Sequence, residues 1–196
     1  MNQIIAIDSD QVLVDFVSGW AHFASTVLGR EIHSLNTAFP LHIRFGLTGS
    51  ESNRVWTAFN CPEAWGNLPF YTGAAEAVRE LLDNGYAVHV VTSVPTLALD
   101  ARRQAFNRTF PGIVVHQAES LHTNHPNDAP SKETILKTLK PAFYADDRWP
   151  HIREAINAGV PHIYRISGAH DGDGKPVSGI TVYESLEIAL KVSGFL

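Results

Sequence analysis

Short, mostly apolar, strand-like runs punctuate this chain at residues 4–7, 87–91, 113–115, 142–145 and 162–166. Runs too short for a helix and apolar on both sides suit strands that are covered on both faces, as in a parallel sheet. Between them, residues 97–109, 131–139 and 151–158 have the amphipathic pattern of crossover helices. Residues 72–84 also read as a helix: Ala74, Ala77, Val78, Leu81 and Leu82 recur at spacings of three and four, and Gly85 stands where a helix end favours glycine. A short strand at 180–182 and a closing helix at 185–192 complete the series. The pattern predicts an α/β fold, a three-layer Rossmann-like arrangement of a parallel sheet between helices.

The regular alternation breaks once. After the first strand, some eighty residues pass before the second, too many for a simple crossover. Residues 15–28 predict a helix with Phe16, Trp20, Phe23, Val27 and Leu28 on one face. Further aromatic residues follow at Phe39, Phe45, Trp56, Phe59 and Trp65. We read residues 16–68 as a small, mostly helical cap inserted after the first strand, and residues 1–15 with 69–196 as the core. The rings either stack on a flat ligand or form the cap's own core. Helical spacing assigns Trp20 and Phe23 to packing.

Composition narrows the setting. At 196 residues the chain is long enough to bury a core without covalent support, and its one cysteine, Cys61, permits no intrachain disulfide and no cysteine-based zinc site. The net charge of −5 offers no footprint for a nucleic-acid polymer or an anionic membrane. No apolar run approaches the roughly 20 residues that span a bilayer. With no basic leader before the first strand, the expectation is a soluble, cytoplasmic protein.

Chemistry gathers where the predicted strands end. The first strand runs into Asp8-Ser9-Asp10, and ligands in doubly wound sheets sit at the carboxyl ends of strands. Two carboxylates there repel one another unless a divalent cation or a shared proton intervenes. Their spacing suits a nucleophile at Asp8 and a proton shuttle at Asp10. Val91 leads into Thr92 and Ser93, whose hydroxyls can hydrogen-bond a phosphoryl oxygen. Ser131 is a good N-cap, which puts Lys132 in the first turn of a helix, where the macrodipole disfavours a cation. A lysine there makes sense if it faces phosphate and carboxylates, and its removal is then expected to cost function more than stability. Lys137 and Lys140 lie too late in the helix for this role. Finally, Phe143-Tyr144-Ala145 ends in Asp146-Asp147. Asp8, the backbone carbonyl of Asp10 and one of Asp146 and Asp147 form an oxygen set suited to Mg²⁺.

An Asp-x-Asp after the first strand, then Thr-Ser, then Lys, then an acidic pair, resembles the four-motif signature of the haloacid-dehalogenase (HAD) superfamily. The order argues against a response-regulator receiver, in which the lysine comes near the end of the domain. Asp at the second position argues against a carbon–halogen hydrolase. The stretches Asp8–Phe16, Val91–Ser93 and Ala145–Arg148 are similar to the 5′(3′)-deoxyribonucleotidase group. The resemblance implies a Mg²⁺-dependent phosphomonoester hydrolase with an aspartyl-phosphate at Asp8, general acid/base at Asp10, phosphate contacts from Thr92, Ser93 and Lys132, and Phe16 at the substrate. The implied substrate is a nucleoside monophosphate. The alternatives are another small phosphomonoester, such as a sugar phosphate, and a non-catalytic metal- or phosphate-binding module. The chain departs from that group at Gln11, where glycine is usual and eases a tight turn.

Two other motifs carry less. His122 and His125 read as part of a polar loop. Asp171-Gly172-Asp173-Gly174 lacks the distal glutamate of a calcium loop and reads as a hairpin turn.

Overall fold

The computed structural model describes residues 3–120, 127–167 and 173–196. Six strands, β1 (Ile4–Ile7), β2 (Ala87–Thr92), β3 (Val114–Gln117), β4 (Phe143–Asp146), β5 (His162–Ile166) and β6 (Thr181–Tyr183), form one sheet in the order β3-β2-β1-β4-β5-β6. All five pairings are parallel. The predicted strands are therefore present, with boundaries moved by one or two residues. The parallel pairing of β5 and β6 corrects the hairpin reading of residues 171–174, since two parallel neighbours cannot be joined by a tight turn. Residues 171 and 172 of that motif, and the His122–His125 pair, lie outside the described residues.

Nine helices join the strands within the described residues: α1 (Phe16–Leu28), α2 (Leu41–Arg44), α3 (Gly49–Phe59), α4 (Pro62–Gly66), α5 (Thr72–Asp83), α6 (Thr96–Thr109), α7 (Lys132–Leu139), α8 (Trp149–Asn157) and α9 (Leu186–Val192). Side chains of successive strand residues point to opposite faces, so the sheet serves two cores. Ile5, Ile7, Val88, Val90, Phe143 and Ala145 face one, together with α5, α6 and α9. Ala6, Val91 and Tyr144 face the other, against Ile135 and Leu136 of α7 and Ala155 of α8. Helix, sheet and helix thus make three layers. Among the described residues no helix is long and apolar enough to cross a membrane.

Between β1 and α5 the chain forms four helices and no strand of the sheet. It leaves and returns through backbones lying side by side: Val14 bridges Phe70, the Asp15 amide donates to the Pro69 carbonyl, and the Tyr71 amide donates to the Leu13 carbonyl. Asp15 caps α1 by accepting from the Ser18 amide, and Thr48 and Glu51 cap α3 reciprocally.

The strand order fixes where a ligand can sit. From β1 the chain moves to β2 and β3 on one side, then crosses back to β4 on the other, so the connections diverge at the carboxyl ends of β1 and β4. That divergence opens a crevice in doubly wound sheets. Pairing of Ile7 with Ala145 and donation from the Asp8 amide to the Ala145 carbonyl hold Asp8 and Asp146 level there.

Candidate active site

Asp8, Asp146 and Asp147 are buried, and their carboxylates can each offer an oxygen within 4.8 Å of the others'. Lys132, only 2% exposed at the start of α7, reaches between them. Its Nζ donates to Asp8 Oδ1 at 2.6 Å and to Asp146 Oδ2 at 2.8 Å. The Ser131 hydroxyl accepts from the Thr134 amide and caps that helix. The lysine's unfavourable end of the dipole is thus offset by two carboxylates. The expectation that its removal spares the fold does not survive this geometry, because loss of the ammonium leaves buried carboxylates uncompensated.

Protonation follows from burial and from this arrangement. Burial, and then Asp146, Asp147 and Asp10, push Asp8 well above the usual carboxylate range against the pull of Lys132. Burial and then Asp146 likewise raise Asp147, against Lys132 and Arg148. Burial also acts to raise Asp146, but Lys132 and His151 outweigh it and hold this carboxyl below the usual range. Burial would lower Lys132, yet Asp146 and Asp8 keep it above its ordinary value. Burial and then Lys132 lower His151 to about 4, so its imidazole is neutral at pH 7.

The two members of the acidic pair differ. Asp146 accepts from Lys132 and Tyr144 at Oδ2 and from the Arg148 amide at Oδ1, and His151 Nδ1 stands 3.2 Å from Oδ2. Asp147 instead borders a cavity of about 320 Å³ that Asp8, Asp10, Thr92, Ser93 and Lys132 also line. This volume lies at the small end of ligand sites. The Ser93 hydroxyl donates to the Glu119 carbonyl at 2.8 Å, and Thr92 is buried beside it.

Asp10 stands apart from the three clustered carboxylates. Its Oδ1 lies 3.0 Å from Nη2 of Arg102, a residue of α6 that the sequence reading passed over. A signal was present. Ala98, Arg102, Ala105 and Phe106 share the buried stripe of α6, so a charge occupies an apolar position. His151 was missed too, although it shares the buried stripe of α8 with Ile152 and Ala155.

Rings form much of the remaining cavity wall. Phe16 stacks near Trp65, with centroids 5.5 Å apart, and meets Phe59 edge-on at 5.9 Å. Phe16, Phe39, Trp56 and Trp65 line the cavity, whereas Trp20 and Phe59 are fully buried. Gln11 adopts a left-handed backbone, φ 63°, where glycine is at ease. Its side-chain Oε1 accepts from the Val17 amide at 2.9 Å, at the first turn of α1.

Neither a protein-family model nor a curated protein matches the sequence. Solved structures do match in fold. A haloacid dehalogenase-like family hydrolase from Streptococcus pneumoniae is 18% identical, with 99% of this chain and 98% of that one covered and a TM-score of 0.58. A HAD family hydrolase from Deinococcus radiodurans R1, solved with bound phosphate and sodium, is 16% identical, with 100% and 97% covered and a TM-score of 0.59. Protein Tyrosine Kinase A from Mycobacterium tuberculosis is also 16% identical, with 98% of each chain covered and a TM-score of 0.60. At such identities the likeness establishes a shared fold from end to end. Names as different as hydrolase and kinase leave the reaction to be argued from the site.

Proposed function

We propose that this chain, which has the fold of the haloacid-dehalogenase-like hydrolases, is a Mg²⁺-dependent phosphomonoester hydrolase working through an aspartyl-phosphate on Asp8. One observation carries the reading: Asp8, Asp147, Lys132, Thr92 and Asp10 border a single small cavity at the divergence of β1 and β4. Three clustered carboxylates against one ammonium leave excess negative charge, and that is the setting a hard divalent cation fits. Asp8 and Asp147 would hold the ion from the cavity side. Asp146, already taken up by four donor groups, anchors Lys132 and His151. When bound, Mg²⁺ supplies charge neutralisation that lets an anionic nucleophile meet an anionic phosphate.

The residues divide the reaction into two balanced steps. A carboxylate oxygen of Asp8 attacks phosphorus as the bond to the ester oxygen breaks. The bonding pair leaves with that oxygen, which takes the proton carried by Asp10. Asp10, now a carboxylate, removes a proton from water as the water oxygen attacks phosphorus. The bond from phosphorus to Asp8 breaks, releasing inorganic phosphate and restoring both aspartates. Thr92 and Lys132 hold the equatorial oxygens through both transfers, and Ser93 supports the same turn.

For substrate we favour a nucleoside monophosphate, with a deoxyribonucleotide first. Residues 16–68 act in this reading as the specificity cap, since they supply Phe16, Phe39, Trp56 and Trp65 to the wall. A flat base stacked on such rings gains roughly 1–3 kcal/mol. The test is catalytic efficiency across nucleotides, sugar phosphates and a simple aryl phosphate, with and without Mg²⁺. The reading expects Mg²⁺-dependent hydrolysis with nucleotides preferred. Sugar phosphates preferred over every nucleotide would reassign the substrate, and no turnover of any ester would leave a binding module.

A further inference from the structure

Arg102 has no part in the chemistry just described, yet it is a deeply buried cation beside it. Its side chain is 2% exposed, whereas Asp10, the partner at 3.0 Å, is 28% exposed. The guanidinium carbon lies 5.7 Å from the ring centre of Trp65, in the wall of the cavity. Nε and Nη2 have no well-formed hydrogen bond among the described residues. A charge kept in so dry a place is a poor device for stability alone, because an apolar side chain in the same stripe fills the space without the desolvation cost.

The contacts on Asp10 are one-sided. Arg102 Nη2 approaches Oδ1, and the Ser9 hydroxyl donates to the same oxygen at 3.3 Å. Both anchors fall on one oxygen, which leaves Oδ2 for a proton in transit. We infer that Arg102 is a positioning residue: it fixes the rotamer of Asp10 so that Oδ2 faces the leaving oxygen, and it ties that rotamer to the aromatic wall through Trp65. The inference rests on the hydrolase reading above and adds to it a residue that touches neither phosphate nor metal.

The test separates proton delivery from general damage by varying the leaving group. A nitrophenyl phosphate releases nitrophenolate, a stable anion that needs no proton, whereas an alkyl phosphate releases an alkoxide that does. kcat/KM reports events up to the first irreversible step, here formation of the aspartyl-phosphate. In Arg102→Met we expect kcat/KM for an alkyl phosphate to fall by about 10²-fold, the lower range for lost acid–base catalysis. The fall for the nitrophenyl ester should stay within about threefold. Arg102→Lys, which keeps the charge but not the fork, should recover part of the alkyl-ester rate, and its leaving-group ratio gives an independent reading if the methionine variant does not fold. Adding Arg102→Met to Asp10→Asn should cost little more than Asp10→Asn alone, as expected of residues acting as one unit. Equal losses on both esters, no loss, or multiplicative losses in the double variant would overturn the inference. A wild-type protein inactive on both esters would instead bring down the hydrolase reading, and this role with it.

Discussion

Replacing Lys132 with methionine removes one buried cation and keeps a side chain of similar length. The ammonium sits 2.6 Å from Asp8 and 2.8 Å from Asp146, with Asp147 in the same cluster. Breaking a buried ion pair by deleting one partner costs about 3–5 kcal/mol. In a domain of this size each kcal/mol lowers Tm by about 2–4 °C, so the variant should melt about 6–20 °C lower near pH 8. The loss depends on pH, and its sign follows from the carboxylates. Asp8 and Asp147 are raised, by burial first. A raised carboxyl favours folding below its unfolded pKa, about 3.9, and that contribution disappears as the pH climbs through the folded value. Asp146, held low in the native protein, has the opposite sign: it stabilises above the unfolded pKa and stops doing so in acid. Without Lys132, Asp8 and Asp147 rise further, and Asp146 loses the strongest influence holding it down. The damage should therefore be larger at pH 8 than at pH 5, because lowering the pH favours proton uptake by the raised groups and so reduces the uncompensated charge in the cluster. Circular-dichroism melts of both proteins in a chelator at the two pH values measure this. A Tm deficit below about 2 °C at pH 8, or one equal at the two pH values, refutes the reasoning.

Further expectations follow from the same geometry. Asp8→Asn should fold but lose turnover; retention of more than about a tenth of the rate, a loss under ~1.4 kcal/mol, removes Asp8 as nucleophile. Trp56→Ala should raise KM for a nucleoside monophosphate by about 5- to 150-fold, the equivalent of roughly 1–3 kcal/mol of stacking, while a short alkyl phosphate is little affected. Similar increases for both would show that the ring supports the site without contacting a base. Gln11→Gly relieves a left-handed residue, worth about 1–2 kcal/mol, but gives up an acceptor at the first turn of α1, worth about 1 kcal/mol. Urea unfolding should place the net change within about 1 kcal/mol of zero; a loss beyond 2 kcal/mol would assign Gln11 a larger structural part.

The framework of the fold was legible because strands buried on both faces leave uninterrupted apolar runs, as in Ile4–Ile7 and Phe143–Tyr144. Lys132 was legible for the opposite reason: it violates a local rule, and only a distant pair of carboxylates explains it. Arg102 violates a rule as well, but its partner lies 92 positions away and Arg103 beside it looks like an ordinary surface charge. His151 escaped notice because a histidine on a helix gives no sign of its partner, which here is Asp146 on the neighbouring strand. The connection between β5 and β6 was misread because glycine and aspartate mark a bend without saying whether the next strand returns antiparallel or crosses over. The division among the aromatic residues, with Phe16 and Trp56 half-buried at the cavity, Trp65 buried yet bordering it, and Trp20 wholly in the core, depends on how the four helices of residues 16–68 pack, which no local periodicity encodes.

The most direct test of the central claim is to find the phosphoryl group. The protein is mixed with Mg²⁺ and a preferred ester, quenched in acid within the first turnover, reduced with borohydride and digested for peptide mass spectrometry. Reduction converts an aspartyl-phosphate to homoserine. The account predicts that conversion at Asp8 alone, dependent on substrate and absent from Asp8→Asn. Turnover with Asp8 unmodified throughout, or a phosphoryl group carried by any other residue, would contradict it.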